Sequence, residues 1–321
     1  MASDDWYLTD DLDAFLSRAG EFLRSRPAAH TVPLTVTENL RSRGPGVYGD
    51  AAPEFGVLEG KSERDGTREV RAAFFRTPPH PVVLTALTEQ EADALAQRLA
   101  ATYASTGAEA TGTGAGTGAG AAAGPGEEPR GGRAPLSGVN AERDTAEAFA
   151  AAWRRHTGAR VAPRRRMRLY RLGELSVPRP VPPGRARVAA EPDRALLARW
   201  YDEFCAAVDE SLGRGGPAWA DDRVRLGDVL LWETPDGVPV AMAGRSPKVA
   251  GQIRVMGVYT PAHLRGRGYA GAVTAEVSRA ALAAGAQEVL LFTDLANPTS
   301  NGLYQRIGYR PVSDFAVYDF T

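Results

Sequence analysis

The sequence predicts an α/β protein built on a mixed β-sheet flanked by helices, and three observations carry that prediction. An apolar run, Gln252 to Thr260, reads as a strand; it leads through the Gly-rich basic loop Arg265-Gly266-Arg267-Gly268-Tyr269-Ala270 into an Ala-rich stretch, Tyr269 to Ala284, that reads as a helix. Two further strand-like runs, Val229 to Thr234 and Val238 to Gly244, are joined by Pro235-Asp236-Gly237, a hairpin signal. Strand and helix patterns alternate through both halves of the chain, as layers of helix on sheet require.

In the second half, Arg187 to Ala189 opens as a short strand and Asp193 to Val208 follows as a helix. After the hairpin, the loop and its helix come a strand at Glu288 to Thr293, a short helix begun by Asn297-Pro298, and a last strand at Phe315 to Phe320. Asn is a good N-cap and Pro fits the first helical position, where no N–H is needed. In the first half, Pro53 to Leu58 and Val70 to Leu87 read as strands and Glu89 to Thr102 as an amphipathic helix. Asn140 to Thr157 reads as a helix capped by Asn140, with Phe149 and Trp153 on one face, and Met167 to Leu172 as a strand. Thr106 to Gly132 is almost all Gly, Ala, Thr, Glu and Pro; such a segment cannot bury enough apolar surface to offset its ordering entropy, so disorder is expected. Pro178, Pro180, Pro182 and Pro183 make a stiff linker of residues 176–184. The expected domains are therefore 1–175, with the insertion at 106–132, and 185–321.

Whole-chain quantities narrow the function classes. The length of 321 residues fits two domains, each able to bury a core. A formal net charge of −1 gives no bulk attraction to nucleic acid or to a membrane, and no apolar run approaches spanning length. One cysteine, Cys205, allows no internal disulfide; it is expected to be a buried core thiol, and a cytoplasmic location is expected. The four histidines lack metal-ligand or triad spacing, so no metal is expected. The basic run Arg164-Arg165-Arg166 with Arg168 and Arg171 is read as a solvated strand edge, where charge discourages aggregation.

The loop carries the chemistry. A helix start presents unpaired N–H groups and the positive end of its dipole, and Gly266 and Gly268 let a backbone approach closely. The expected guest is a phosphate or pyrophosphate. No Lys-Ser/Thr follows, which excludes the Walker pattern, and only a loose third glycine, Gly271, stands for the dinucleotide fingerprint.

The spacing Arg265-x-x-Gly268-x-Ala270 resembles the pyrophosphate loop of the GCN5-related N-acetyltransferases. Asn297-Pro-Thr-Ser-Asn-Gly-Leu-Tyr304-Gln-Arg-Ile-Gly308-Tyr309 is similar to that family's second motif, in the right order and about thirty residues on, and Val258-Tyr259-Thr260-Pro261 to its strand 4 exit. The likeness covers roughly Arg185 to Thr321. It implies the acyl-CoA N-acyltransferase fold, and the first half looks like a degenerate second copy without the loop motif. It also implies acetyl-CoA as donor. The pyrophosphate would rest on backbone groups of Arg265, Gly266, Arg267, Gly268, Tyr269 and Ala270, and the pantetheine arm along Val258, Tyr259 and Thr260 and beside Asn297. Tyr304 would be the general acid that protonates the leaving thiolate. Ser300 and Asn301 are weaker candidates for the same cleft.

No general base is visible; Glu233, Asp209 and Glu210 are the nearby acids considered. The expected reaction is direct acetyl transfer to a primary amine of a small molecule or peptide, with the acceptor pocket drawn from residues 193–226 and the junction of the two halves. Two alternatives stay open: a non-catalytic acyl-CoA-binding regulatory module, and another acyl or aminoacyl transferase on the same scaffold. Oligomeric state, a homodimer included, is left open.

Overall fold

The computed structural model describes residues 5–61, 67–109, 134–208 and 215–321. Most of the disorder expected at 106–132, together with Asp209 and Glu210, falls outside them, and 106–109 end a helix.

Each half runs through the same order of elements. The first has β1 (Asp5–Thr9), α1 (Leu12–Ser25), α2 (Thr31–Arg43), β2 (Glu54–Lys61), β3 (Arg68–Arg76), β4 (Val82–Leu84), α3 (Glu89–Glu109), β5 (Gly138–Glu142), α4 (Arg143–Thr157) and β6 (Val161–Leu172). The second has β7 (Arg185–Val188), α5 (Arg194–Ala207), α6 (Gly216–Leu226), β8 (Val229–Glu233), β9 (Pro239–Arg245), β10 (Gln252–Tyr259), α7 (Tyr269–Ala283), β11 (Glu288–Asp294), α8 (Pro298–Ile307) and β12 (Tyr309–Phe320).

All twelve strands form one sheet in the order β1-β2-β3-β4-β5-β12-β6-β11-β10-β9-β8-β7. The final strands are exchanged between halves: β6 lies beside β11, and β12 lies between β5 and β6. The parallel pairs are β4 with β5 and β10 with β11, each bridged by a helix as a parallel crossover demands.

Alternation along β6 assigns the faces, because successive side chains point to opposite sides of a sheet. Tyr170 packs with α7 and α8, and Arg166 reaches Glu147 of α4. Leu169 packs beside Ala28 from the α1–α2 loop, and Arg165 donates to the carbonyl of Val208 just after α5. So α4, α7 and α8 cover one face; the α1–α2 corner and α5 cover the other.

Several local expectations change. Asn140 lies in β5, not at a helix cap; Val139 and Ala141 are fully buried there, and the helix begins after Glu142. Phe149 and Trp153 do share a face of α4, with rings stacked at 6.1 Å. The run from Val70 to Leu87 is two strands, because prolines 78 and 79 cannot supply ladder N–H groups. The basic run is no sheet edge: β6 is central, and its charges are matched. Arg168 forms a two-point pair with Asp314 at 2.6 and 2.9 Å, Arg171 meets Glu288 at 3.0 Å, and Arg164 meets Asp319 at 3.8 Å. Cys205 is half-buried on α5, not a core thiol. No described helix is long and apolar enough to cross a membrane.

Candidate functional site

The site begins where β10 and β11 part. They pair from Gln252 opposite Glu288 to Val255 opposite Leu291, and no further. Beyond that point β10 stays with β9, reaching Tyr259 opposite Met242, while β11 stays with β6, reaching Asp294 opposite Met167. A bulge between Met256 and Tyr259 turns β10 outward. Gly257 sits in it at φ +60°, a left-handed conformation that glycine adopts without steric cost. Main-chain groups of Met256–Tyr259 and of Phe292–Asp294 therefore face a wedge instead of each other.

At the mouth of the wedge the chain turns through Gly266 (φ +78°) and Gly268 (φ +85°) into α7. Among the described residues, the backbone N–H groups from Gly266 to Gly271 find no protein acceptor; the first such bond of the helix is from Ala272 to the Gly268 carbonyl. A Cβ on Gly266 would meet nothing within 4 Å, so the cradle is open on that side. Arg265 turns back, its Nε donating to the Thr260 carbonyl at 3.1 Å, so it braces the loop. Arg267 is exposed, and its Nη2 lies 3.4 Å from the His263 carbonyl. Val258 packs toward α7, and Thr260 is buried with no partner for its hydroxyl among the described residues.

Beyond β11, α8 carries Tyr304, packed in the core cluster with Val273 of α7. Its ring is buried and meets Tyr309 edge-on at 6.1 Å. Its hydroxyl makes no hydrogen bond to the described residues and is not among the fully occluded unpaired atoms. Burial pushes its pKa up to about 12, so the phenol keeps its proton near neutral pH. Asn297 is the exposed N-cap of α8, its Oδ1 accepting from the Ser300 N–H at 3.0 Å. Asn301 donates to the carbonyls of Asp294 and Asn297, both at 2.8 Å, and its Oδ1 accepts from the Tyr170 hydroxyl at 2.9 Å.

Tyr170 carries no sequence signal for a site role, because its partner lies 131 positions away. It is fully buried on the strand given up by the first half, and it also accepts from Gln305 at 3.2 Å. Those two bonds bracket Tyr304 on α8. Tyr170→Phe strands the Asn301 oxygen and is expected to lower stability by about 1–3 kcal/mol, which urea titration measures. An unchanged midpoint and slope contradict that role.

Glu203 is the second residue the sequence hid. Its carboxylate accepts from the Tyr259 hydroxyl at 2.6 Å, on the sheet face opposite α7. Glu233, by contrast, is held by Arg187 and Arg185 and is committed to that ion pair.

The first half has the same strand–loop–helix unit, with its loop tied by the chain's own side chains. The hydroxyl of Thr85 accepts from Ala73, Leu87 N–H donates to Thr145, and Thr88 N–H donates to the Glu91 carboxylate at 2.8 Å. Glu91 also pairs with Arg71 at 2.9 Å. Thr88 and Glu91 thus form a capping box at the start of α3, the Glu91 N–H returning a bond to Thr88 Oγ1 at 3.3 Å.

Buried phenols set an alkaline limit. Burial raises Tyr103 to about 12 and Tyr309 above the ordinary tyrosine value, alongside Tyr304. Their neutral forms are favoured in the fold, so their stabilisation is whole below the unfolded value of 10 and is lost as pH rises through about 12. Thermal melts from neutral pH upward should hold steady to pH 10 and fall steeply beyond it; a flat profile contradicts the burial of these hydroxyls.

Residues 240–316, from β9 into β12, match the family model described as FR47-like protein. Solved structures of similar shape include a GCN5-related N-acetyltransferase from Sphaerobacter thermophilus (17% identity, 99% of this chain and 96% of that one, TM-score 0.57). A Drosophila protein aligns at 13% identity over 99% of both chains with TM-score 0.57. An acetyltransferase of the GNAT family from Colwellia psychrerythraea aligns at 10% over 98% of both, with TM-score 0.52. No curated protein matches by sequence. The likeness spans nearly the whole length, and the chain carries the acyl-CoA N-acyltransferase fold of the GCN5-related N-acetyltransferases.

Proposed function

We propose that the protein is an acetyl-CoA-dependent N-acetyltransferase that acetylates a primary amine of a small molecule or peptide. The observation that carries this reading is the open wedge between β10 and β11, at whose mouth the N–H groups from Gly266 to Gly271 find no acceptor among the described residues. The donor supplies the acetyl group as a thioester. The loop N–H groups hold its pyrophosphate, helped by the dipole of α7. The β10 edge at Val258, Tyr259 and Thr260 holds the arm and offers an N–H to the thioester oxygen. Asn297 borders the arm, and Tyr304 gives its proton to the departing sulfur. Glu203, bonded to the hydroxyl of Tyr259, is the base this reading assigns to take the amine's proton, directly or through water.

On this reading residues 1–175 are a degenerate copy whose corresponding helix is capped by Thr88 and Glu91, 176–184 the linker and 185–321 the catalytic half. The single cysteine fits a cytoplasmic setting. Release of free thiol from acetyl-CoA across a panel of primary amines tests the proposal. Amine-dependent release supports it; binding of acetyl-CoA with no release from any amine favours the regulatory-module alternative.

A further inference from the structure

The segment that joins β6 to β7 is strapped across the start of α7. It is tied first at the C-terminal end of α8, where Gly173 N–H donates to the Gly308 carbonyl at 3.0 Å and Ser176 N–H to the Ile307 carbonyl at 2.8 Å. It then passes over the first turn of α7. Pro178 lies 3.5 Å from where a Cβ on Gly271 would stand, and Pro182 lies 3.6 Å from the same position on Gly268. It is tied again at β8, where the Trp232 indole N–H donates to the Pro183 carbonyl at 3.3 Å. Four prolines between these ties hold φ fixed, so the arch has little freedom left to lose when a ligand settles against it.

This corner carries charge of one sign. Residues 176–184, 261–275 and 298–308 contain Arg179, Arg265, Arg267 and Arg306 and no Asp or Glu. The acids next along the chain are Glu174, Glu276 and Asp294. Glu276 pairs with Arg279, Asp294 accepts from the Ala296 N–H at 2.7 Å, and Glu174 lies back at the Gly308 end of the strap. Arg265 is committed to the Thr260 carbonyl. Arg179 and Arg306 are exposed and form no hydrogen bond or ion pair among the described residues. The two flank one point. Leu303 and Pro178 both meet the Cβ position of Gly271, at 3.1 and 3.5 Å; Arg179 follows Pro178, and Arg306 folds back along α8 until its Nη1 lies 3.3 Å from the Cβ position of Gly302. The N–H groups from Gly266 to Gly271 answer for one pyrophosphate. The pair of guanidiniums beyond them fits a second, separate dianion.

We propose that the strap is a wall of the donor site, with Arg179 and Arg306 holding the 3′-phosphate of coenzyme A and the rings of Pro178 and Pro182 lying against the nucleoside. The inference rests on the acetyl-CoA reading for its ligand and on the strap's contacts and charge for its content. It also sets the class of donor. A free coenzyme A thioester is accepted; an acyl group on a phosphopantetheinyl carrier protein offers no adenosine 3′-phosphate to these arginines.

The test titrates acetyl-CoA and acetyl-3′-dephospho-CoA calorimetrically into the wild type, Arg179→Gln, Arg179→Gln/Arg306→Gln and Arg279→Gln. The last removes an exposed arginine near the other end of α7. The wild type should bind acetyl-CoA about tenfold or more tightly than the dephospho form, the worth of charge-assisted contacts to one phosphate. Arg179→Gln should narrow that gap and the double variant should close it, both by weakening acetyl-CoA alone. Arg279→Gln should keep it. Equal affinities in the wild type, a gap that survives the double variant, or a loss that falls alike on both ligands overturns the strap's role while leaving the acetyltransferase standing. A gap that closes as expected, with no thiol release on any amine, keeps the strap's role and discards acetyl transfer. No binding of either ligand discards both.

Discussion

Residues 185–321 expressed alone are expected to give no folded monomer. In the whole chain β6 sits between β12 and β11, in register with β12 from Tyr309 to Phe320 and with β11 from Leu290 to Asp294. Cutting it away exposes both strands, and β12 also loses β5. Tyr170 leaves the core beneath α7 and α8, and Leu169 leaves the cluster with Leu290 and Phe315. Long unpaired edges template aggregation or exchange between copies. The loss is on the scale of a whole domain's stability, about 5–15 kcal/mol. Co-expression with residues 1–184 should restore a one-to-one complex on size exclusion. A monomeric 185–321 with a cooperative melt would contradict the strand exchange.

Tyr304→Phe should lower kcat by about a hundredfold or more, the lower range for a placed acid, and leave the KM for acetyl-CoA near its wild-type value. The fold should not notice. The hydroxyl has no partner among the described residues, so its removal orphans nothing, and a stability change within about 0.5 kcal/mol is expected. Raised burial of the phenol adds a second signature: no rate loss from its ionisation should occur below pH 10. Unchanged kcat in Tyr304→Phe would move the acid role to solvent.

The second half was largely legible because its signals are local. A strand, a glycine loop and a helix start lie next to each other in sequence, and Asn297-Pro298 caps its own helix. The first half was harder. β1, α1 and α2 carry no strong loop or turn motif, and β5 is five residues long, so the helix pattern that follows absorbed it. What could not be read at all is long-range. β6 gave its pattern but not its address between β11 and β12, and that address turns Arg164 to Arg171 from an edge into a paired central strand. Tyr170 and Glu203 acquire roles only through partners 131 and 56 positions away. Arg265 was read as a backbone contact to the pyrophosphate, whereas its N–H donates to the Ala262 carbonyl at 3.3 Å and its side chain braces Thr260.

The most direct measurement is calorimetric titration of acetyl-CoA into the wild type and into Ala270→Glu. Substitution at Gly268 mixes two effects, because its φ of +85° strains any other side chain and Pro182 lies 3.6 Å from the Cβ position. A carboxylate at residue 270, in the first turn of α7, instead complements the helix dipole and should stabilise the fold by about 0.3–1 kcal/mol. It places negative charge where the pyrophosphate would lie. Binding by the wild type, weakened by about a hundredfold or more in a variant that melts no lower, is the expected result. Equal affinity in both, or no binding by the wild type, would contradict the loop as the cofactor cradle.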